Sequence, residues 1–427
     1  MSLDIVTFKS APIEIIDGDR GKNYPKQDEF TDNGYCLFLN AKNVTEDGFN
    51  FDTKMFISKE RDNLLKKGKL QKGDVVLTTR GTVGNVAFYS KHVPFDNIRI
   101  NSGMLILRSK QELDSEFLYW TLKSNYFQKQ IYTFQSGTAQ PQLPISSLNH
   151  MEFYLPPYEI QKKIVKILSQ IDEKIRLSRE INKNLEQLSQ NLFRKWFIDF
   201  QLESDFNISE PLKDSSLGKI PESWEIKTIG DLSIVKGRIG WRGYTTNDLV
   251  DEGPWVVGGK EITSGFIDFS TAKHLTREKY EESPEIMLKD KDLIIAKTGT
   301  IGPIAMFYEN YGEATLNPNV GLIRANNIAP SLLLTFFKTP RAQYYLNEFT
   351  TSSVQPAINQ TTIKQLEIAI PSDKQLLDNL GERFEEINLL QYNLNEETKN
   401  LQKLRDTLLP KLMSGEIDVS QINCDLE

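Results

Sequence analysis

The residues best suited to chemistry in this chain are a cation and a hydroxyl beside a pair of glycines, and the set occurs twice. The segments TTRGTVGNVAFY and AKTGTIGPIAMF, at residues 78–89 and 296–307, share this pattern. They supply Arg80 with Thr82 in the first copy, and Lys297 with Thr300 in the second. Glycine lets a backbone approach a partner closely, and Arg or Lys can contact phosphate or guanine. The pattern indicates binding chemistry, and its alternative is that the glycines only shape a hairpin turn.

Two further groups of residues suit a nucleic-acid surface. The segment KGRIGWRGYTT mixes cations with aromatic side chains, as nucleic-acid-binding surfaces do. The cationic and aromatic candidates are Arg238, Trp241 and Arg242 in this segment, Arg20 and Lys22 in its counterpart DGDRGKNYPK, and the separate Lys42 and Lys260. Gln140 and Gln355 supply amides that can read adenine edges. The alternatives are an exposed loop with one anchoring Trp, and polar loop filler.

Catalytic patterns are missing from the sequence. His92, His150 and His274 have no second ligand at a metal-binding spacing. Neither a GxxxxGK[ST] phosphate loop nor a dinucleotide or S-adenosylmethionine glycine fingerprint occurs. We therefore expect no catalytic residue, no metal and no cofactor on this chain. With only two cysteines, no signal peptide and no long apolar run, the composition favours a cytoplasmic protein and excludes a membrane-spanning one.

The two glycine segments belong to a longer internal repeat. Gly299 follows Gly81 by 299 − 81 = 218 residues, and Lys260 follows Lys42 by the same 218. The segment TAQPQLPISSLNHMEFYLPP is answered by SVQPAINQTTIKQLEIAIPS, with a shift that has drifted only to 215. Several matches in one order indicate a duplication rather than chance.

A long segment with helical periodicity follows each half of the repeat, beginning near Tyr158 and near Asp373. Apolar residues recur every seven positions in both segments, in the same phase, with Ser178 as the one polar substitute. The predicted helix-pairing and partner-interface residues are Ile164, Ile171, Leu185, Leu192, Leu380, Ile387, Leu394, Leu401 and Leu408. A seven-residue repeat over four heptads predicts coiled-coil helices, and each helix needs a mate for its apolar stripe. If a pseudo-two-fold axis relates the halves, the two helices run antiparallel.

These patterns predict an α+β fold: two similar mixed α/β domains separated by two long antiparallel coiled-coil helices, with a pseudo-two-fold internal repeat. The predicted boundaries are a first domain at 1–155, a first spacer helix at 156–200, a linker at 201–221, a second domain at 222–371, a second spacer helix at 372–415 and an acidic tail at 416–427.

The net charge of −7 is unevenly distributed along the chain. Residues 372–427 hold 6 cations and 12 acids, whereas residues 1–155 hold 19 and 18. The globular parts are therefore close to neutral, so a local basic face on them is compatible with the overall acidity.

Taken together, these features resemble the specificity subunit of type I restriction–modification systems. The resemblance rests on two blocks that close with QPQLPISSLNHMEFYLPPYEIQKKIVKIL and QPAINQTTIKQLEIAIPSDKQLLDNL, each running into a long helix, and it covers nearly the whole chain. It implies that the blocks are target recognition domains, each reading one half of a bipartite double-stranded DNA site. It implies that the helices set the spacing between the halves.

The resemblance also implies the partners. Two modification subunits, which bind S-adenosylmethionine and methylate adenine, would dock on this chain, and two restriction subunits, which use ATP and Mg²⁺, would complete the complex. The rival interpretations are a self-contained methyltransferase or nuclease with an unrecognised site, and a coiled-coil adaptor that binds no DNA.

Overall fold

The computed structural model describes residues 5–137, 140–202, 206, 209–238, 243–263, 265–349 and 356–422. The chain divides into two compact units. Unit 1 comprises Met1–Arg176 with Thr398–Glu427, and unit 2 comprises Leu177–Glu397. Each unit therefore holds one block of the internal repeat together with a segment of both long helices. Among the described residues, no helix combines the length and the apolar character needed to cross a membrane.

Unit 1 is built on an antiparallel four-stranded sheet in the order β2-β10-β7-β8. A three-stranded sheet, β6-β3-β9, and the pairs β1-β11 and β4-β5 complete its strands. The strands are β1 Ile5–Thr7, β2 Ile13–Asp17, β3 Cys36–Leu39, β4 Val44–Thr45, β5 Gly48–Phe49, β6 Phe56–Ile57, β7 Val75–Thr78, β8 Val86–Phe88, β9 Ile98–Ile100, β10 Met104–Ser109 and β11 Glu152–Tyr154. The helices are α1 Lys59–Leu64, α2 Ser115–Lys123, α3 Asn125–Phe134, α4 Ile145–Leu148 and the first part of α5 Tyr158–Phe197.

Unit 2 repeats this topology. Its four-stranded sheet has the order β15-β23-β20-β21, and its three-stranded sheet is β19-β16-β22. The strands are β12 Leu212–Ser215, β13 Gly218–Pro221, β14 Trp224–Thr228, β15 Ser233–Lys236, β16 Leu249–Val257, β17 Ile262–Thr263, β18 Phe266–Ile267, β19 Lys273–Leu275, β20 Leu293–Ala296, β21 Ile304–Met306, β22 Ala314–Leu316, β23 Val320–Ala325 and β24 Glu367–Pro371. The helices are α6 Ile229–Leu232, α7 Arg277–Glu281, α8 Pro330–Phe337, α9 Pro340–Glu348, α10 Gln360–Lys364 and α11 Lys374–Met413.

The match between the units extends to strand direction. In each three-stranded sheet one pair is parallel, β3 with β9 and β16 with β22. The first and last strands of each block also pair, β1 with β11 and β14 with β24. The predicted internal repeat is therefore confirmed, as is the mixed α/β character of each half. The hairpin β12-β13 lies within residues 201–221, which the sequence predicted as a linker.

The two long helices pair antiparallel within each unit. In unit 1, Ile164 and Leu168 of α5 share a core with Leu409 and Leu412 of α11. In unit 2, Phe193 and Phe197 of α5 share a core with Leu380 and Phe384 of α11. In unit 2, Gln391 contacts Asn182 while Phe384 lies against Phe193, so residue numbers fall along α11 as they rise along α5, which is the predicted antiparallel arrangement.

The predicted heptad residues differ in how deeply they are buried. Ile164, Leu380 and Ile387 are buried. The half-buried ones are Ile171, Leu185, Leu192, Leu394, Leu401 and Leu408. Several polar side chains of the two helices are also buried, among them Ser178, Ser189, Asn388, Gln391 and Thr398. The interface between the helices therefore combines apolar and polar side chains.

The described residues that follow α11 pack into unit 1. Val419 is only 2% exposed and belongs to the same core as Ile164 and Leu168. The Lys163 Nζ donates a hydrogen bond of 2.7 Å to the Ser420 carbonyl. The described part of the predicted acidic tail is thus a structural element of unit 1.

A buried carboxylate braces the central sheet of each unit. In unit 1, Asp74 accepts two hydrogen bonds of 2.8 Å from Arg108. In unit 2, Asp292, 1% exposed, accepts bonds of 2.7 and 2.6 Å from Arg324, and these raise the pKa of the arginine. Removing one partner of such a pair leaves the other charge buried without a counterion, which typically lowers the free energy of unfolding by about 3–5 kcal/mol.

The repeated glycine segments form the hairpins β7-β8 and β20-β21, and a glutamine holds each turn. Gly84 and Gly302 have φ of 99° and 101°, a region that glycine adopts without strain. The Gln128 Nε2 donates to the Gly84 and Leu122 carbonyls at 3.0 and 2.7 Å. The Gln343 Nε2 donates to the Gly302 and Phe337 carbonyls at 3.0 and 2.7 Å. These contacts fix each turn to the helix α3 or α9.

We expect Gly302→Ala to destabilise unit 2 more than Gly299→Ala. Both positions have positive φ, which costs an alanine roughly 1–2 kcal/mol. A β-carbon at Gly302 would also collide with Oε1 of Gln343, whereas one at Gly299 meets no described atom within 4 Å. Moving Gln343 aside loses two hydrogen bonds, worth about 1 kcal/mol each. Denaturant unfolding of both variants measures the difference, and equal unfolding midpoints would contradict this account of the turn.

Candidate nucleic-acid interface

Backbone hydrogen bonds hold Arg80 at the end of strand β7. The Thr79 and Arg80 amides donate to the Gly103 carbonyl at 2.8 and 3.2 Å. On the other side, the Leu143 amide donates to the Thr79 carbonyl at 3.0 Å, and Arg80 pairs with Gln142 in a β-bridge. The Arg80 side chain is exposed. The structure therefore brings the cation of the glycine turn next to the glutamine-containing loop.

Two more predicted cations lie near Arg80. The Arg20 side chain is 51% exposed, and its Nη2 donates to the Ser102 carbonyl and to Asp17 Oδ1, each at 3.2 Å. Ser102 immediately precedes Gly103, to which Arg80 is bonded. A β-carbon at Gly81 would lie 3.9 Å from Cβ of Ala41, which places the exposed Lys42 beside the turn. Unit 1 thus gathers three exposed cations at one end of its sheets.

The other candidates of unit 1 are also accessible. Lys22, Thr82 and Gln140 are all exposed. The main-chain carbonyl of Thr82, and not its side chain, accepts a hydrogen bond from the Thr78 hydroxyl. None of these placements identifies a base or phosphate contact, so the three residues stay predicted contacts.

In unit 2, Lys297 occupies the position equivalent to the end of β7. Its amide donates to the Asn319 carbonyl at 3.0 Å, and its carbonyl accepts from the Ile358 amide at 2.9 Å. Its side chain is half-buried, and a β-carbon at Gly237 would lie 3.4 Å from its Nζ. Burial lowers the pKa of Lys297, and no carboxylate of the described residues forms an ion pair with it. A bound phosphate or guanine edge would supply the missing counterpart.

Lys260 and Thr300 complete the described candidates of unit 2, and both are exposed. The neighbour of Lys260, Gly259, donates its amide to Asn319 Oδ1 at 3.4 Å, so Lys260 lies on the same edge as Lys297. Trp241, Arg242 and Gln355 lie outside the residues that the structure describes.

Arg238 is placed differently from its prediction as an exposed DNA contact. It is 5% exposed, and its guanidinium donates to the Leu316 carbonyl at 2.8 Å and to Thr315 Oγ1 at 3.0 Å. The Tyr244 ring lies 5.6 Å from the guanidinium carbon. Burial lowers the pKa of Arg238. These contacts make Arg238 a positioning residue for the loop that follows β15, and they argue against direct contact with DNA.

Sequence reasoning missed the residues that position the turns, Gln128 and Gln343. Their numbers differ by 343 − 128 = 215, the shift already found between Gln140 and Gln355. A search of the predicted helices for residues repeated at this shift would have found both glutamines. Among the described residues, no group of three metal-binding side chains comes together.

The site of each unit is therefore an exposed end of a sheet carrying cations, hydroxyls and amides. Such groups bind phosphates and read base edges. Unit 1 offers Arg20, Lys42 and Arg80, whereas unit 2 offers Lys260 and the half-buried Lys297. The two surfaces share a frame but differ in chemistry.

Comparison with known proteins identifies the family. The model of the type I restriction modification DNA specificity domain matches residues 13–187 and again residues 221–397, which is well over half of the chain. The chain therefore belongs to this family, and the resemblance stated from the sequence is confirmed.

Relatives support the same assignment along most of the chain. The type I restriction enzyme MjaIX specificity subunit of Methanocaldococcus jannaschii is 26% identical over 392 residues, covering 86% of this chain and 84% of that protein. The HindI specificity subunit of Haemophilus influenzae is 25% identical over 466 residues, covering 94% and 98%. The crystal structure of the S subunit from M. genitalium shares the fold, with a TM-score of 0.59 at 17% identity over 96% of each chain.

We expect Arg80→Ala to weaken binding of the cognate DNA by about 1–3 kcal/mol, and Lys297→Ala to weaken it through the other half-site. Lys110 is the matched control, because it is an exposed cation just beyond the far end of β10 from Gly103. Titration of labelled DNA into the assembled complex measures the affinities. Affinities of both variants equal to that of Lys110→Ala would favour the adaptor that binds no DNA.

Proposed function

We propose that this chain is the DNA sequence-specificity subunit of a type I restriction–modification complex, in which each unit reads one half of a bipartite site. The observation that carries the proposal is that the same cation-bearing turn, on the same sheet, occurs once in each unit. Its surroundings differ between the units, since Arg20 near the turn of unit 1 is exposed whereas Arg238, which follows β15 in unit 2, is buried. Two similar but unequal readers suit two unlike half-sites.

The helices provide the spacing and the docking surface in this proposal. Half-site spacing generally mirrors the geometry of the protein that binds it. Several large apolar side chains of α5 and α11 are at least 43% exposed, which suits contact with partner subunits. They are Leu177, Ile181, Leu188, Leu389, Leu390 and Leu404.

We further propose that this chain is not itself a catalyst. As the family resemblance implies, adenine methylation with S-adenosylmethionine would belong to two modification subunits. Cleavage that depends on ATP and Mg²⁺ would belong to two restriction subunits. The absence of a recognisable catalytic motif from the sequence supports this division of labour. Methylation or cleavage of DNA by the purified chain alone would favour the rival, a self-contained enzyme.

Replacing residues 1–155 with the corresponding block of another specificity subunit should change one half of the methylated sequence and leave the other half unchanged. The physical reason is that each unit has its own sheet and its own cation-bearing edge. Methylome sequencing of a host expressing the chimera reads both halves at once. The reciprocal replacement of residues 222–371 is the matched control and should change the opposite half. An unchanged methylated sequence in the first chimera would exclude the proposal.

Adding one heptad to both helices should lengthen the unspecified gap between the half-sites. The insertion repeats residues 178–184 in α5 and residues 393–399 in α11, so the apolar phase is kept on both sides of the pair. Seven residues add about 10 Å of helix, which is about three base pairs of DNA. The gap is read from the methylated sites, and inserting the heptad in α5 alone is the control that breaks the pairing. An unchanged gap with full activity would exclude a spacer role.

A further inference from the structure

Each unit carries an exposed phenylalanine at the end of the helix that holds its glycine turn. Phe134 is the last residue of α3 and is 38% exposed, while Phe349 directly follows α9 and is 54% exposed. Single exposed apolar residues are ordinary on protein surfaces. A phenylalanine kept exposed at the same place in both copies of a diverged repeat is not explained by folding, because neither ring is buried in a core.

The two phenylalanines are equivalent by position. Their numbers differ by 349 − 134 = 215, the same shift that relates Gln128 to Gln343 and Gln140 to Gln355. Gln128 and Gln343 bind the turn carbonyls of Gly84 and Gly302 at 3.0 Å. Each exposed ring is therefore placed by a helix that is fixed to the turn next to Arg80 or Lys297.

In unit 1 the continuity with the candidate interface is direct. Ser136, two residues beyond Phe134, exchanges backbone hydrogen bonds of 2.8 and 2.9 Å with Gln142. Gln142 in turn pairs with Arg80. Two residues of chain and two β-bridges, Ser136 with Gln142 and Gln142 with Arg80, thus connect the exposed ring to the exposed cation.

The surroundings of Phe134 suit a polyanion. The exposed residues of α3 are Asn125, Tyr126, Lys129, Tyr132, Thr133 and Phe134. They include a cation and three aromatic rings but no carboxylate, a mixture typical of nucleic-acid surfaces. In unit 2, α9 carries both Arg341 and Glu348, so the case for Phe349 rests on its equivalence and on the ring of Tyr345, whose centroid lies 4.5 Å away.

We propose that Phe134 and Phe349 are DNA contacts that pack their rings against bases at the edge of each half-site. Apolar side chains contact thymine methyl groups or wedge between base steps in many complexes. The inference rests on the proposed function and adds one uncharged contact residue to each reader, Phe134 in unit 1 and Phe349 in unit 2. Double-stranded DNA is favoured over a protein partner because the rings adjoin the cation-bearing turns and because the exposed residues of α3 itself include no carboxylate.

The test uses the complex assembled from this chain and its modification subunits. Phe134→Ala and Phe349→Ala should each weaken cognate DNA binding roughly tenfold, and the double variant roughly a hundredfold, since the two sites are independent. Because no charge is removed, the dependence of affinity on salt should stay as in the wild type, whereas Arg80→Ala should lower its slope by about one. Phe134→Tyr, which keeps the ring, should restore most of the affinity.

Tyr35 supplies the surface-aromatic control. It is 41% exposed and lies just before β3, at the opposite end of that strand from Ala41 and the turn. Wild-type affinity in Tyr35→Ala together with loss in both phenylalanine variants supports the proposal. Wild-type affinity in the phenylalanine variants, or loss of modification subunits from the complex in native mass spectra, overturns it. Failure of the wild-type complex to prefer any bipartite site would instead sink the proposed function.

Discussion

The largest hydrophobic core of each unit is completed by the end of a helix that begins in the other half of the sequence. Helix α5 leaves the first block and ends with Phe193, Trp196 and Phe197 in the core of unit 2. Helix α11 leaves the second block and ends with Leu409 and Leu412 in the core of unit 1. Fully burying one such side chain is worth about 1.5–3 kcal/mol, so neither block reaches its full stability without the partner helix. The antiparallel pairing therefore stabilises both readers.

This arrangement separates what must stay constant from what is free to vary. The sheets, the buried aspartate–arginine pairs and the glutamine-held turns recur in both units, because they carry the frame. At the edge of that frame unit 1 has the exposed Arg20, whereas Arg238 of unit 2 is buried. A duplicated reader can thus acquire a different sequence preference by changing edge residues alone, without disturbing its core.

The periodic features of the sequence were sufficient to predict the repeat, the hairpin turns and the antiparallel helices. Glycine spacing and heptad phase report local backbone and packing requirements, which short stretches of sequence contain. The burial of Arg238 was beyond such reasoning, because it depends on the carbonyl of Leu316 and the hydroxyl of Thr315, more than seventy residues away. The burial of polar residues between the two long helices could not be predicted for a related reason. Gln391 is buried there by contacts with Asn182 and Glu186 that only the paired helices create.

The burial of Val419 and of the last turn of α11 in unit 1 has a consequence for the order of events during synthesis. Domains generally fold in the order in which the ribosome releases them. Here the core that contains Phe8 also contains Leu412, Met413 and Val419. The first block is consequently completed last. Its core keeps an uncovered apolar face while the second unit, which ends at Glu397, already has all its residues. During translation, the first block therefore keeps an incomplete core for longer than the second and is accessible to chaperones and proteases for longer.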